Sequence, residues 1–172
     1  NGHANVARSL LYYGADPFLH DNGGKSPLFL AASNGHPLAV WSLTFGCATT
    51  HERIKDTLST GITPLHIAAQ HNHFEIVETL LDFANHIGYS DFIDAKHPSP
   101  AYSHHTALQI AAVRIHSETI QMFEHAECFK SFTLKDNNGN DALDLVRAKV
   151  PFLSRLLTIS VKSGRVFEIL SA

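Results

Sequence analysis

The sequence predicts an all-α fold, a solenoid of helix–turn–helix pairs stacked side by side. Three observations predict it. The stretch "TPLHIAAQHNHFEIVETLL", residues 63–81, reads as two short helices joined by a tight turn. Its pattern returns along the chain, with Ser26, Thr63, Thr106 and Asp141 opening successive copies 37, 43 and 35 residues apart. Within each copy the apolar residues recur at helical spacing, and strand-like alternation is missing.

The elements follow in order. The opening "NGHANVARSLLYYGADP" is the second-helix half of a copy whose first helix is absent. A solenoid needs a polar-faced cap, so the chain is expected to belong to a larger polypeptide. "SPLFLAASNGHPLAVWSL" is the first full copy. In the second, Thr63 caps the first helix through its hydroxyl, and Pro64 suits the first helical position, where its missing N–H costs nothing. Leu65, Ala68 and Ala69 share one face, whose small side chains let a neighbouring helix come close. Asn72 tolerates the left-handed conformation that ends a helix. Ile76, Val77, Leu80 and Leu81 then form the stripe of the second helix. In the third copy, "HTALQIAAVRIHSETIQMF", Ile115 stands where the others have Gly35 and Asn72. A β-branched residue suits that turn poorly, so an altered helix end is expected. The fourth copy has Asp144 in place of His66, and its second helix, around Phe152, Leu153, Leu156 and Leu157, reads as a cap. The remaining tail carries Val166, Phe167, Ile169 and Leu170 and is expected to cover the open end of the core.

"SPLFLAASNGH", "TPLHIAAQHNH", "LLYYGADP" and "NNGNDALDLV" resemble the ankyrin-repeat family, whose signature is TPLHxA at a period of about 33 residues. The resemblance covers residues 1–157 and implies about four to five repeats with β-hairpin-like fingers between them. The boundaries expected are 1–20 for a partial repeat, then 21–54, 55–93, 94–133, a capping repeat over 134–157 and a tail over 158–172. Residues beyond the usual period fall around "CATTHERIKDTLST" and "NHIGYSDFIDAKHPSPAYSHH". There "FIDAK" reads as the strand leading into a finger, and Pro98 and Pro100 stiffen the tip. This long loop is either tolerated decoration or a binding feature.

Composition narrows the chemistry. Thirteen Lys and Arg against 16 Asp and Glu give a net charge of −3 without a basic block, which argues against nucleic acid and membrane surfaces. No apolar run approaches the ~20 residues that span a bilayer, so no membrane insertion is expected. Cys47 and Cys128 offer no CxxC spacing and read as reduced, packed thiols of an intracellular, cytoplasmic protein. Thirteen histidines raise the possibility of metal, with His97, His104 and His105 as the one plausible cluster. Zinc sites need three or four ligands at defined spacing, whereas His36, His66, His73 and His116 occupy repeat positions. The resemblance gives these structural hydrogen bonds. "DNGGK" and "KDNNGN" are hairpin-tip glycines and no phosphate loop. Trp41, Phe45, Phe74, Phe83 and Phe123 read as packing between helices in preference to an aromatic binding stripe. No catalytic site, cofactor or metal is expected.

The resemblance implies a non-enzymatic scaffold or adaptor that binds a protein partner through fingertips and first-helix ends. The fingertip candidates are Asn22, Lys25, Ser59, Thr60, Ile62, Tyr102, His104, His105, Asn137, Asn138 and Asn140. The helix-end candidates are Ser33, Asn34, Gln70, His71, Val113 and Arg114. Tyr102 and Arg114 belong to types enriched in binding hot spots, and a histidine at position 71 is of the type that can make binding pH-dependent. The alternative is a regulatory or substrate-recruiting segment of a larger enzyme or bacterial effector. Some family members are hydroxylated on an asparagine two residues past a Gly-Ala-Asp. Phe18 stands there, so that modification is not expected.

Overall fold

The computed structural model describes residues 2–46 and 61–150, the side chain of Ala101 excepted. Ten α-helices form among them: α1 Ala4–Tyr12, α2 Pro27–Ser33, α3 Pro37–Thr44, α4 Pro64–Gln70, α5 Phe74–His86, α6 Ser90–Ile93, α7 Ala107–Arg114, α8 Ser117–His125, α9 Phe129–Thr133 and α10 Ala142–Lys149. The second helix and tail expected beyond residue 150, and Cys47, Ser59 and Thr60, lie outside the described residues.

Each first helix starts on a side-chain cap. Ser26, Thr63, Thr106 and Asp141 accept the backbone N–H three residues on, and in the last three copies the side chain at that position returns a bond to the cap. A cap of this kind contributes about 1 kcal/mol. Because the caps repeat, the first helices begin at the same height and stack as one layer, α2 on α4, α4 on α7 and α7 on α10. The second helices form the other layer, α1 on α3, α3 on α5 and α5 on α8.

Between the layers lie Ala32, Val40, Leu65, Ala68, Ala69, Val77, Leu80, Leu81, Leu108, Ala111, Ala112 and Phe123, all fully buried. Alanine pairs facing one another keep the first helices close, and the leucines of the second helices fill the space behind.

The turns inside each pair close identically. Gly35, Asn72 and Ile115 have φ of 71°, 56° and 58°. His36, His73 and His116 donate their N–H to the carbonyls of Ala31, Ala68 and Ala111. The altered end expected at Ile115 therefore does not occur. The left-handed conformation costs a side chain about 1–2 kcal/mol, and packing of Ile115 on the core offsets it.

One further expectation is corrected. "FIDAK" forms no strand: Ser90–Ile93 is the helical turn α6, because Phe92 and Ile93 bury themselves on the core. Of the residues in excess of the period, those of the second copy lengthen α5 by a turn and build α6, and those around residues 47–60 lie outside the described residues. The fingers are hairpin-like turns, with no strand among the described residues. Their closing bonds are Asp21 N–H to Lys25 O, His97 N–H to His105 O and Asp136 N–H to Asn140 O.

Candidate interaction face

The first-helix ends leave the core, and their side chains are half-buried or exposed. Asn34, His71 and Arg114 occupy the same position in successive repeats and all are exposed. Ser33, Gln70 and Val113, one residue earlier, are half-buried in the same succession. Asn34 folds back onto its helix, donating to the carbonyl of Leu30 at 2.7 Å. The His71 ring stacks on His73 at 5.8 Å. Burial, reinforced by the charge of His71, lowers the pKa of His73.

The fingertips divide into free and engaged groups. In the first finger Asp21 accepts the N–H groups of Gly23 and Lys25, shaping a turn that leaves Asn22 and Lys25 exposed. Asp136 performs the same task in the last finger for Asn138 and Asn140, and Asn137 and Asn138 are exposed at its tip. Ile62 is half-buried beside Gly61, whose φ is 73° and where an added Cβ would lie 2.8 Å from Pro98, so no side chain fits there.

The enlarged finger lies against the stack. The Tyr102 ring packs on His97 at 4.4 Å, and its hydroxyl donates to Gln70 Oε1 at 3.4 Å. Thus Tyr102 and Gln70 form one surface element joining finger to helix end. Ser103 and His104 both take the left-handed conformation, and His104 stays half-exposed. His105 faces inward. It is buried, with Nε2 3.1 Å from Asp136 Oδ2, so it ties two fingers together and does not present itself at a tip. Ser103 adds to that tie, its carbonyl and hydroxyl accepting from Asn137 and Asn138. Sequence reasoning passed over Ser103, because a serine in an irregular loop carries no positional signal.

Asp136 is the hub of this tie. Burial alone would raise its pKa, but the N–H groups of Asn140 and Asn138 and the His105 ring outweigh it and hold the carboxyl below its usual 3.8. Its contribution is therefore complete above that value and fades as pH falls through the lower folded one. Replacing Asp136 with Ala is expected to cost about 1–3 kcal/mol and to increase amide exchange in residues 97–105 and 136–140. Exchange that stays unchanged would show that the two fingers stand independently.

The histidines make a structural set. His66 Nδ1 lies 2.8 Å from Thr63 Oγ1, and His116 Nδ1 lies 2.9 Å from the carbonyl of Ala69. Among the described residues no group of three His, Cys, Asp or Glu is placed to hold a metal ion. Burial, then the nearby charge of Asp94, pushes the Cys128 thiol up to about 11, so it is no nucleophile at neutral pH. No helix among the described residues is long and apolar enough to cross a membrane.

The aromatic reading holds for Phe83 and Phe123, which are buried, and fails for three others. Trp41, Phe45 and Phe74 are 50%, 38% and 39% exposed. Phe45 keeps an edge-on contact with Phe83 of α5 at 5.1 Å, yet all three rings leave a large part of their surface exposed.

Comparison with known proteins agrees with this architecture. A family described as "Ankyrin repeats (3 copies)" matches residues 1–91. NF-kappa-B inhibitor alpha of Homo sapiens is 41% identical over 78 residues, covering 44% of this chain and 25% of that protein. E3 ubiquitin-protein ligase XBAT32 of Arabidopsis thaliana is 38% identical over 84 residues, 36% of this chain and 16% of the ligase. The ankyrin repeat protein FPV031 of fowlpox virus (strain NVSL) is 27% identical over 168 residues, 94% of this chain and 49% of the viral protein. The chain thus spans between a sixth and a half of the length of these relatives. With more than half of its residues matched and the same capped pair repeated along the stack, the chain belongs to the ankyrin-repeat family.

Proposed function

We propose that the chain is a protein-interaction module, a scaffold or adaptor without catalytic activity of its own, working in the cytoplasm. The observation that supports it is the succession Asn34, His71 and Arg114, exposed at one position of consecutive repeats whose core-facing residues are buried. Such a row makes an extended face whose side chains are free to specify a partner. Gln70, Tyr102, Val113 and Ser33 border it, and Asn22, Lys25, Ile62, His104, Asn137, Asn138 and Asn140 continue it along the fingers. NF-kappa-B inhibitor alpha acts, by its name, on another protein. The likeness to a ubiquitin ligase supports a second reading, a substrate-recruiting segment within a larger enzyme.

The test compares capture from cytosolic lysate by the wild type and by a folded His71→Ala, Tyr102→Ala, Arg114→Glu variant, read by mass spectrometry. Loss of at least one captured protein, by about tenfold or more, is expected, because arginine and tyrosine anchors each contribute about 1–2 kcal/mol. Identical sets retained by both forms would remove the face from consideration.

A further inference from the structure

The exposed aromatics of α3 reveal a second face, on the opposite side of the molecule. His3, His36, His73 and His116 mark the same point of successive second helices, so the residues two, five and nine places on are equivalent. These are outward positions one and two turns apart. In α1 they are Asn5, Arg8 and Tyr12; in α5 they are Glu75, Glu78 and Asp82; in α8 they are Glu118, Gln121 and His125. In α3 and its C-cap alone they are all large and apolar: Leu38, Trp41 and Phe45.

Leu38 is 70% exposed, more than either aromatic. Packing does not require such side chains there, since the neighbouring repeats fold with charged and polar residues at those places. Contiguous exposed apolar patches with a polar border mark interaction sites. Tyr12, at the equivalent place in α1, is exposed as well. At the other end an open pocket of about 220 Å³ lies between the starts of α3 and α5, lined by Gly35, Pro37, His73, Phe74, Glu75 and Ile76.

The border is asymmetric. Phe45 reaches α5, stacking edge-on against Phe83 at 5.1 Å and lying 6.3 Å from His86. At the places on α5 equivalent to the stripe stand Glu75, Glu78 and Asp82, and Glu75 also lines the pocket with Pro37. All three are exposed, and none has an ion-pair partner among the described residues. On the α1 side stands Arg8, bonded to Asn5.

We propose that this outward face of α3 is a docking surface for an amphipathic helix of a partner protein. Its apolar stripe lies along Leu38, Trp41 and Phe45, and its edge toward α5 carries lysine or arginine. Helical spacing on both sides supports the choice. Carboxylates one and two turns apart meet cations at i, i+3 or i+4, and i+7 of a helix laid alongside. An apolar residue at the end of that helix enters the pocket beside Phe74.

Trp41 is the chain's one tryptophan, so its fluorescence reports directly on the stripe. The probe is a synthetic amphipathic helix of leucine and lysine, roughly 15 residues long, titrated onto the full chain. A leucine–glutamate peptide of the same pattern serves as control. The lysine peptide is expected to shift Trp41 emission to the blue and shield it from acrylamide; the glutamate peptide is not. Leu38→Glu with Phe45→Asp, which installs the residues of α5 at the equivalent places, is expected to weaken binding about tenfold or more. Far-UV circular dichroism and a melting midpoint, both expected to match the wild type, check that it remains folded. Glu75→Lys, Glu78→Lys and Asp82→Lys together are expected to transfer preference to the glutamate peptide. Equal response to both peptides, or a preference that survives the charge reversal, overturns the proposal. So does a free chain whose Trp41 is already shielded, or one that dimerises through the stripe and loses the dimer in Leu38→Glu.

Discussion

Replacing His66 with Gln should abolish most of the loss of stability that the protein undergoes as pH falls from 6.5 to 4. His66 is 1% exposed, bonded through Nδ1 to its cap Thr63, with Nε2 lacking a hydrogen-bond partner. Burial, and then the charge of His97 at a ring distance of 5.5 Å, lowers its pKa from 6.5 to about 4. The direction follows from linkage. Below pH 6.5 the unfolded chain takes up a proton that the folded chain refuses until about pH 4, so stability falls across that interval as pH falls. A displacement of that size corresponds to about 3 kcal/mol. Above pH 6.5 the contribution is complete.

Glutamine is the informative replacement because the next repeat already uses it. Gln109 occupies the equivalent position, closes the same box with Thr106 and donates to the carbonyls of Leu134 and Asn140 in the following finger. The variant should therefore match the wild type at pH 7.5 to within about 1 kcal/mol. Urea melts at pH 7.5, 6 and 4.5 would show a shallow pH dependence. What remains belongs to His73 and His97, whose pKa values are also lowered, first by burial. A pH dependence as steep as that of the wild type would mean that His66 is protonated in the folded protein.

The second large effect concerns the interior. Leu65→Ala or Leu80→Ala should each cost roughly 2–5 kcal/mol, because both leucines are completely buried between the helix layers. Equilibrium unfolding in urea gives the value. A loss below about 0.5 kcal/mol is what a surface site shows, and would mean that the helices face differently from the repeat register described here.

Much of this architecture is legible in the residues because its causes are local. Thr63 and Pro64 define a helix start by themselves, and Asn72 defines a turn. What escaped is what depends on neighbours. "FIDAK" has the composition of a strand, yet the space below α5 accepts Phe92 and Ile93 only from a helical turn. Ile115 violates its local preference because the closing bonds of His116 and the core contact outweigh it. His105 sits at a fingertip by position, but an inward-facing Asp136 in the next finger draws it in. Trp41 looked like core by its chemistry. The signal that places it outside was present in the repeats themselves, since the corresponding residue of α5 is Glu78, but residue type outweighed repeat position in the reading. The face that selects a partner is less legible still, because any exposed polar side chain satisfies the fold.

The account rests on a partner contacting one position of successive repeats. Hydrogen–deuterium exchange on the captured complex, compared with the free chain, addresses that directly. Protection recurring at residues 30–35, 67–72 and 110–115, the ends of α2, α4 and α7, is the result expected. Protection confined to one repeat, or absent from all three helix ends, would contradict it.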